Sequence, residues 1–186
     1  MRRLIFHTLL YCSGLFFPFS LTAQTTEIRL EELDIQDAPP LATIDCIYED
    51  SRGFLWLGCY SGLYMFDGYS LTPFYYNPND TLTISDNKIK KLLEDRHGNI
   101  WVGTQMGLNY FDTRKKTFQH YNNKEKNGIG DVEIYDLKQD EQGRIWVAAA
   151  DGLYQKEPGS RLFKKRFPAE RDTALVPSVH AIELTA

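Results

Sequence analysis

The chain has 186 residues, with 21 Lys and Arg against 25 Asp and Glu, a net charge of −4 and 13% aromatic side chains. An acidic balance of this kind argues against nucleic acid or an anionic membrane surface as a partner. The four histidines, His7, His97, His120 and His180, have no metal-ligand spacing, and there is no glycine-rich nucleotide loop, so no metal and no cofactor is expected.

Residues 1–23 read as a secretory signal. Met1-Arg2-Arg3 precedes an apolar run from Leu4 to Leu21 without an acid, and Thr22-Ala23 precedes Gln24. A retained anchor is the alternative, but Ser13, Gly14 and Pro18 interrupt a run already marginal for a span of about 20 residues. Export with cleavage after Ala23 would leave 19 basic residues against 25 acids, a net −6. Two cysteines would remain, Cys46 and Cys59. If the turn at Asp50 to Gly53 pairs Glu49 with Phe54, Cys46 faces Leu57 and Cys59 faces Ile44. That diagonal is too long for a disulfide, and free buried thiols are expected.

From residue 44 the chain repeats. Trp56, Trp101 and Trp146 are 45 residues apart, and the same 45 separates Asp50, Asp95 and Asp140, then Gly53, Gly98 and Gly143, then Gly62, Gly107 and Gly152. A period of this length fits a four-stranded propeller blade or a large helical repeat. Glycine turns every eight to ten residues and an abundance of Trp, Tyr, Phe, Ile and Val select strands. The fold class is therefore all-β, a β-propeller of four-stranded antiparallel blades, here incomplete with about three. Blades are expected at residues 44–88, 89–133 and 134–178, with residues 179–186 as the first strand of a fourth. Residues 24–43 contain Ile28, one period before Pro73, and are read as a closing strand that clasps a later blade. A propeller needs at least four blades, so the chain reads as the front of a longer protein. Left alone, its open apolar faces should favour association.

Within each unit the first strand opens on Ile44, Ile89 or Ile134 and is apolar on both parities, as expected near a ring axis. An Asp-x-x-Gly turn follows, in which the carboxylate caps its own backbone and the glycine supplies positive φ. One acid per turn cannot furnish the six to eight oxygens calcium takes. The second strand carries the tryptophan, followed two residues on by Gly58, Gly103 or Ala148, read as small residues that give the indole room. The third strand starts beside Gly62, Gly107 or Gly152. The outer strand contains residues 73–76, 118–121 and 163–166, and the cluster Arg161, Lys164, Lys165 and Arg166 reads as a charged, guarded edge.

Strand direction places the loops at residues 59–61, 104–106 and 149–151 at the same end as residues 77–86 and 122–131. Tyr60, Gln105 and Asp151 stand at or beside equivalent positions there, with Asn77 and Asn122 nearby. Flat rings beside amide hydrogen bonders suit a sugar, and these five are the candidate ligand-binding residues. No catalytic residue is expected.

The pattern Asp-x-x-Gly-x-[Ile/Leu]-Trp-[Val/Leu]-Gly-x-x-x-Gly-Leu-x-x-Phe-Asp, in residues 50–67 and 95–112, resembles the two-component-regulator propeller repeat. This repeat is found in periplasmic sensor regions of hybrid two-component histidine kinases of Bacteroidetes-type bacteria. The third copy departs from it at Ala148, Ala149 and Glu157. The resemblance implies a non-catalytic, carbohydrate-sensing periplasmic module. Its partners would be an oligosaccharide, the remaining blades and a second copy of a parent anchored in the inner membrane. The alternatives are an exported interaction scaffold and a propeller lyase or glycosidase. The latter would need carboxylates paired about 5–9 Å apart, and the repeated acids sit at turns instead.

Overall fold

The computed structural model describes residues 43–121, 128–167 and 180–184. They contain twelve strands and no helix: β1 (Ile44–Glu49), β2 (Leu55–Cys59), β3 (Gly62–Phe66), β4 (Leu71–Phe74), β5 (Ile89–Glu94), β6 (Ile100–Thr104), β7 (Gly107–Asp112), β8 (Thr117–Tyr121), β9 (Ile134–Gln139), β10 (Ile145–Ala149), β11 (Gly152–Lys156) and β12 (Phe163–Phe167). Each consecutive four form one antiparallel sheet with the strands in chain order. These sheets are three blades. The expected signal (1–23) and, apart from Thr43, the expected closing strand (24–43) lie outside the described residues. His180–Leu184 carry no strand, although Ile182 N–H donates to Asp136 Oδ2 at 3.0 Å and the His180 ring stacks on Tyr135.

The first hairpin closes one residue tighter than expected. Asp50 N–H donates to Phe54 O, and Glu49 pairs with Leu55, so the loop has three residues with Gly53 at φ +83°. This is the favoured geometry for a three-residue hairpin with glycine in the left-handed region. Cys46 consequently faces Gly58, not Leu57. An irregularity between Ile44 and Cys46 restores the expected Ile44–Cys59 pair. Both thiols are free; Cys59 is buried and Cys46 only partly so. Burial pushes the Cys46 thiol up to about 11, which keeps it protonated and unreactive.

Apolar layers fill the spaces between blades. One joins Trp56 and Leu63 to Ile89, Leu92, Ile100 and Phe111; the next joins Trp101 and Leu108 to Ile134, Leu137, Ile145 and Tyr154. The expectation of a first strand buried on both faces holds for Ile89 and Ile134, each 0% exposed, and fails for β1, where Ile44 and Ile47 are 42% and 64% exposed. Among the described residues nothing covers that face of blade 1. Likewise Trp56 and Trp101 are buried, whereas Trp146 is half-buried at the opposite end of the stack.

The glycine two residues after Trp56 and after Trp101 serves the next blade rather than its own indole. A Cβ on Gly58 would lie 2.7 Å from Ile89 Cγ2, and one on Gly103 would lie 2.7 Å from Ile134 Cγ2. Glycine here lets the inner strand of the following blade press against the sheet. Gly103→Val should therefore destabilise by about 1–3 kcal/mol through overpacking against a stiff β-branched neighbour. A fall in the urea midpoint with unchanged slope would register this.

Polar ties run between the same elements. Ser51 N–H and Oγ–H donate to the two oxygens of Glu94 at 2.7 and 2.6 Å, and Arg96 N–H donates to Gln139 Oε1 at 3.0 Å. The blade-linking loop at residues 77–86 is partly core. Phe118 N–H donates to Leu82 O at 2.9 Å, Ser85 N–H donates to Asn109 Oδ1 at 3.0 Å, and Ile84 is 0% exposed. The loop is thus bonded to the edge strand β8 at Phe118. Ile129, one period on, is also buried.

Candidate functional site

At the turn end, each Asp-x-x-Gly carboxylate caps its own loop as expected. Asp50 Oδ1 accepts from the N–H of Arg52 and Phe54, Asp95 Oδ1 from those of His97 and Asn99, and Asp140 Oδ1 from that of Arg144. The second oxygen has a role that spacing alone does not reveal. Asp50 Oδ2 accepts the Trp56 indole N–H at 3.0 Å, and Asp140 Oδ2 accepts that of Trp146 at 2.7 Å. In both blades an arginine, Arg52 or Arg144, also grips that oxygen at 2.6 Å. Burial pushes these two carboxyls up, but the indole, guanidinium and backbone donors outweigh it and hold them below the usual carboxylate range.

At the opposite end, the β2–β3 tips fold back on the residue before their own first strand. Tyr60 N–H donates to Thr43 O, Gln105 N–H to Lys88 O and Ala150 N–H to Glu133 O, at 3.1, 3.0 and 2.9 Å. The tips and the ends of the blade-linking loops do share one face. Tyr60 is 49% exposed there, with Lys88 Nζ 4.6 Å and Lys90 Nζ 6.0 Å from its ring centroid. Lys90 reaches sideways in both directions, to Asp45 at 3.7 Å and Glu133 at 3.6 Å. This cationic pair was missed from sequence. The available signal was Lys88-x-Lys90 at the mouth of a first strand, where both side chains fall on the same parity.

The other candidates are distributed unevenly. Gln105 is half-buried on this face. Asp151 is turned to its own blade, where Oδ2 accepts from the Tyr154 hydroxyl at 2.6 Å and pairs with Lys165 at 3.3 Å. Burial and this carboxylate push the Tyr154 phenol up, so it stays a donor. Asn77 Oδ1 accepts the Asn79 N–H and closes its own loop, as asparagine does in a turn. Asn122 lies outside the described residues.

The groove between blades 2 and 3 is unlike the one between blades 1 and 2. Trp56 stacks against Phe74 and meets Phe111 edge-on, with centroids 5.7 and 5.5 Å away. One period later those phenylalanines are Gln119 and Lys156. Trp101 there has Lys156 Nζ 5.5 Å from its ring, and its buried indole N–H has no protein acceptor. A cavity of about 250 Å³ lies alongside, lined by Trp101, Tyr110, Tyr121, Asp95, Lys156 and Arg161 among others.

Three consecutive four-stranded meanders, stacked through tryptophan-centred layers, define a segment of a β-propeller. Within that class the repeat is particular: the family model for the two component regulator propeller matches residues 39–61, 83–106 and 128–151. Among solved structures the chain is similar to PorZ of Porphyromonas gingivalis, an essential surface component of the type-IX secretion system, with TM-score 0.53, 18% identity, and coverage of 71% of this chain and 22% of that one. It is also similar to the extracellular domain assigned to a hybrid two component system, BT3049, of B. thetaiotaomicron, with TM-score 0.49, 18% identity, and coverage of 74% and 26%. The chain thus spans about a quarter of the length of these structures. None of the curated proteins matches it.

Proposed function

We propose that the three blades are part of an extracytoplasmic sensing propeller of a two-component signalling protein, that they take a carbohydrate at the loop end, and that they signal without catalysing a reaction. The observation that carries this reading is the exposed Tyr60 ring beside Lys88 and Lys90, on a scaffold built of two-component-regulator repeats. A flat ring supplies an apolar platform for a sugar face, and neighbouring ammonium and amide groups hydrogen-bond its hydroxyls. Export through residues 1–23 and membrane anchoring of the parent complete the picture, in which the remaining blades close the ring.

Calorimetry on the full-length protein with a panel of oligosaccharides tests this. Tyr60→Ala is expected to weaken the binding of any responsive glycan about tenfold, a typical stacking contribution, and Gln105→Ala to weaken it less. Asp151→Ala should act mainly on stability, because its carboxylate is committed to Tyr154 and Lys165. Unchanged affinity in Tyr60→Ala and Gln105→Ala, with folding intact, removes this face from consideration.

A further inference from the structure

We propose that the groove between blades 2 and 3 is a second, separate binding site, and that it takes the carboxylate of a small organic acid. Three observations converge on it. First, Trp101 is 2% exposed and its indole N–H has no protein acceptor, whereas its counterparts Trp56 and Trp146 each donate to the aspartate of their own turn. The difference has a cause: the arginines that fix Asp50 and Asp140 beside the indole have no counterpart at Asp95, where His97 and Asn99 follow and Arg96 instead donates to Asp140 O at 2.8 Å. Second, the equivalent space one blade earlier is filled by Phe74 and Phe111, and here Gln119 and Lys156 leave it open and polar, with a volume of about 250 Å³. That is just below the range of drug-sized pockets and suits a ligand the size of one sugar acid.

Third, the cations outnumber the anions. Lys156 and Arg161 line the cavity against the single carboxylate of Asp95. Burial presses the Lys156 ammonium down, with Asp95 acting against it, so a bound anion would relieve part of a desolvation cost that the protein leaves standing. A carboxylate answers all three features: one oxygen accepts the orphaned indole N–H and the other meets Lys156, with Arg161 at the rim able to make a forked contact. The site is remote in character from the Tyr60 face and does not depend on that reading.

The chain has three tryptophans and therefore three indole N–H resonances, which serve as reporter and controls. The full-length protein, labelled with nitrogen-15 and with these three signals assigned by single Trp→Phe variants, would be titrated with sodium glucuronate, sodium acetate and glucose to about 50 mM each, a range that covers millimolar affinity. The Trp101 indole signal should move saturably with glucuronate while those of Trp56 and Trp146 stay. Movement with acetate as well identifies a simple carboxylate as sufficient; movement with glucuronate alone assigns the hydroxyls a part. Lys156→Gln should weaken binding about tenfold or more. Lys156→Phe, which restores the filling seen between blades 1 and 2, should abolish it without lowering the melting temperature. Equal response to glucose, an unmoved Trp101 signal in all three titrations, or full binding by Lys156→Phe would overturn the proposal and leave a buried water as the occupant of the groove.

Discussion

Asp50→Ala should lose about 3–5 kcal/mol of stability, the range for removing one partner of a buried, charge-assisted network. Asp50 is 4% exposed, and its carboxylate holds two backbone N–H groups, the Trp56 indole and the Arg52 guanidinium. Truncation leaves the indole and at least one amide without acceptors and releases the turn that sets the β1–β2 register. Asp95→Ala should cost distinctly less, because that carboxylate serves the turn but takes no indole. Denaturant unfolding of the two variants side by side checks the difference, and equal losses would contradict this account. The pH dependence has a definite sign. The folded Asp50 carboxyl titrates below its unfolded value of about 3.9. Its stabilisation is therefore present above about pH 4 and is lost as the pH falls through the lower, folded value. Asp140 behaves in the same direction, and each Asp→Asn variant should flatten the acid limb of the stability profile.

Gly152→Ala should detach the outer part of blade 3 at a cost of about 2–4 kcal/mol, combining backbone strain with overpacking. Gly152 has φ +145°, a conformation side chains avoid, and a Cβ there would stand only 2.1 Å from Phe167 O of β12. The obstacle is backbone, so no rotamer change relieves it; β12 must move away from β11. Hydrogen exchange would reveal this as faster exchange confined to residues 163–167, with β5–β8 protected as before. The counterpart Gly62→Ala meets the Tyr75 ring at 2.9 Å, a side chain at the edge of blade 1 that can swing aside, and should cost less.

Much of this architecture was legible because it is local and repeated. The 45-residue spacing, the alternating apolar residues and the Asp-x-x-Gly turns sufficed to find twelve strands, with the first strand of every blade at its observed bounds, although the outer strand of blade 1 is Leu71–Phe74 and not residues 73–76. They also put the β2–β3 tips on one face, since chain direction alone decides that. Register escaped by one residue at the first hairpin, because loop closure depends on whether Asp50 pairs with Phe54 or stands outside the ladder. Gly58 and Gly103 were assigned to their own indoles, whereas the isoleucine that needs their space comes from the next blade. Asp151 and Asn77 were legible as polar loop residues but not as side chains already engaged in their own blade and turn. The groove beside Trp101 is the clearest case. Trp56, Trp101 and Trp146 occupy identical positions in the repeat; Arg52 and Arg144 hold the turn aspartate that bonds the first and third indoles and no arginine does so for the second, while the neighbours brought in by the fold, Phe74 and Phe111 at one interface and Gln119 and Lys156 at the other, seal the first groove and leave the second open. The repeat determined which residues would line the interfaces; stacking the blades decided what each would meet, because burial and hydrogen-bond satisfaction are properties of a contact between sheets and not of either sheet alone.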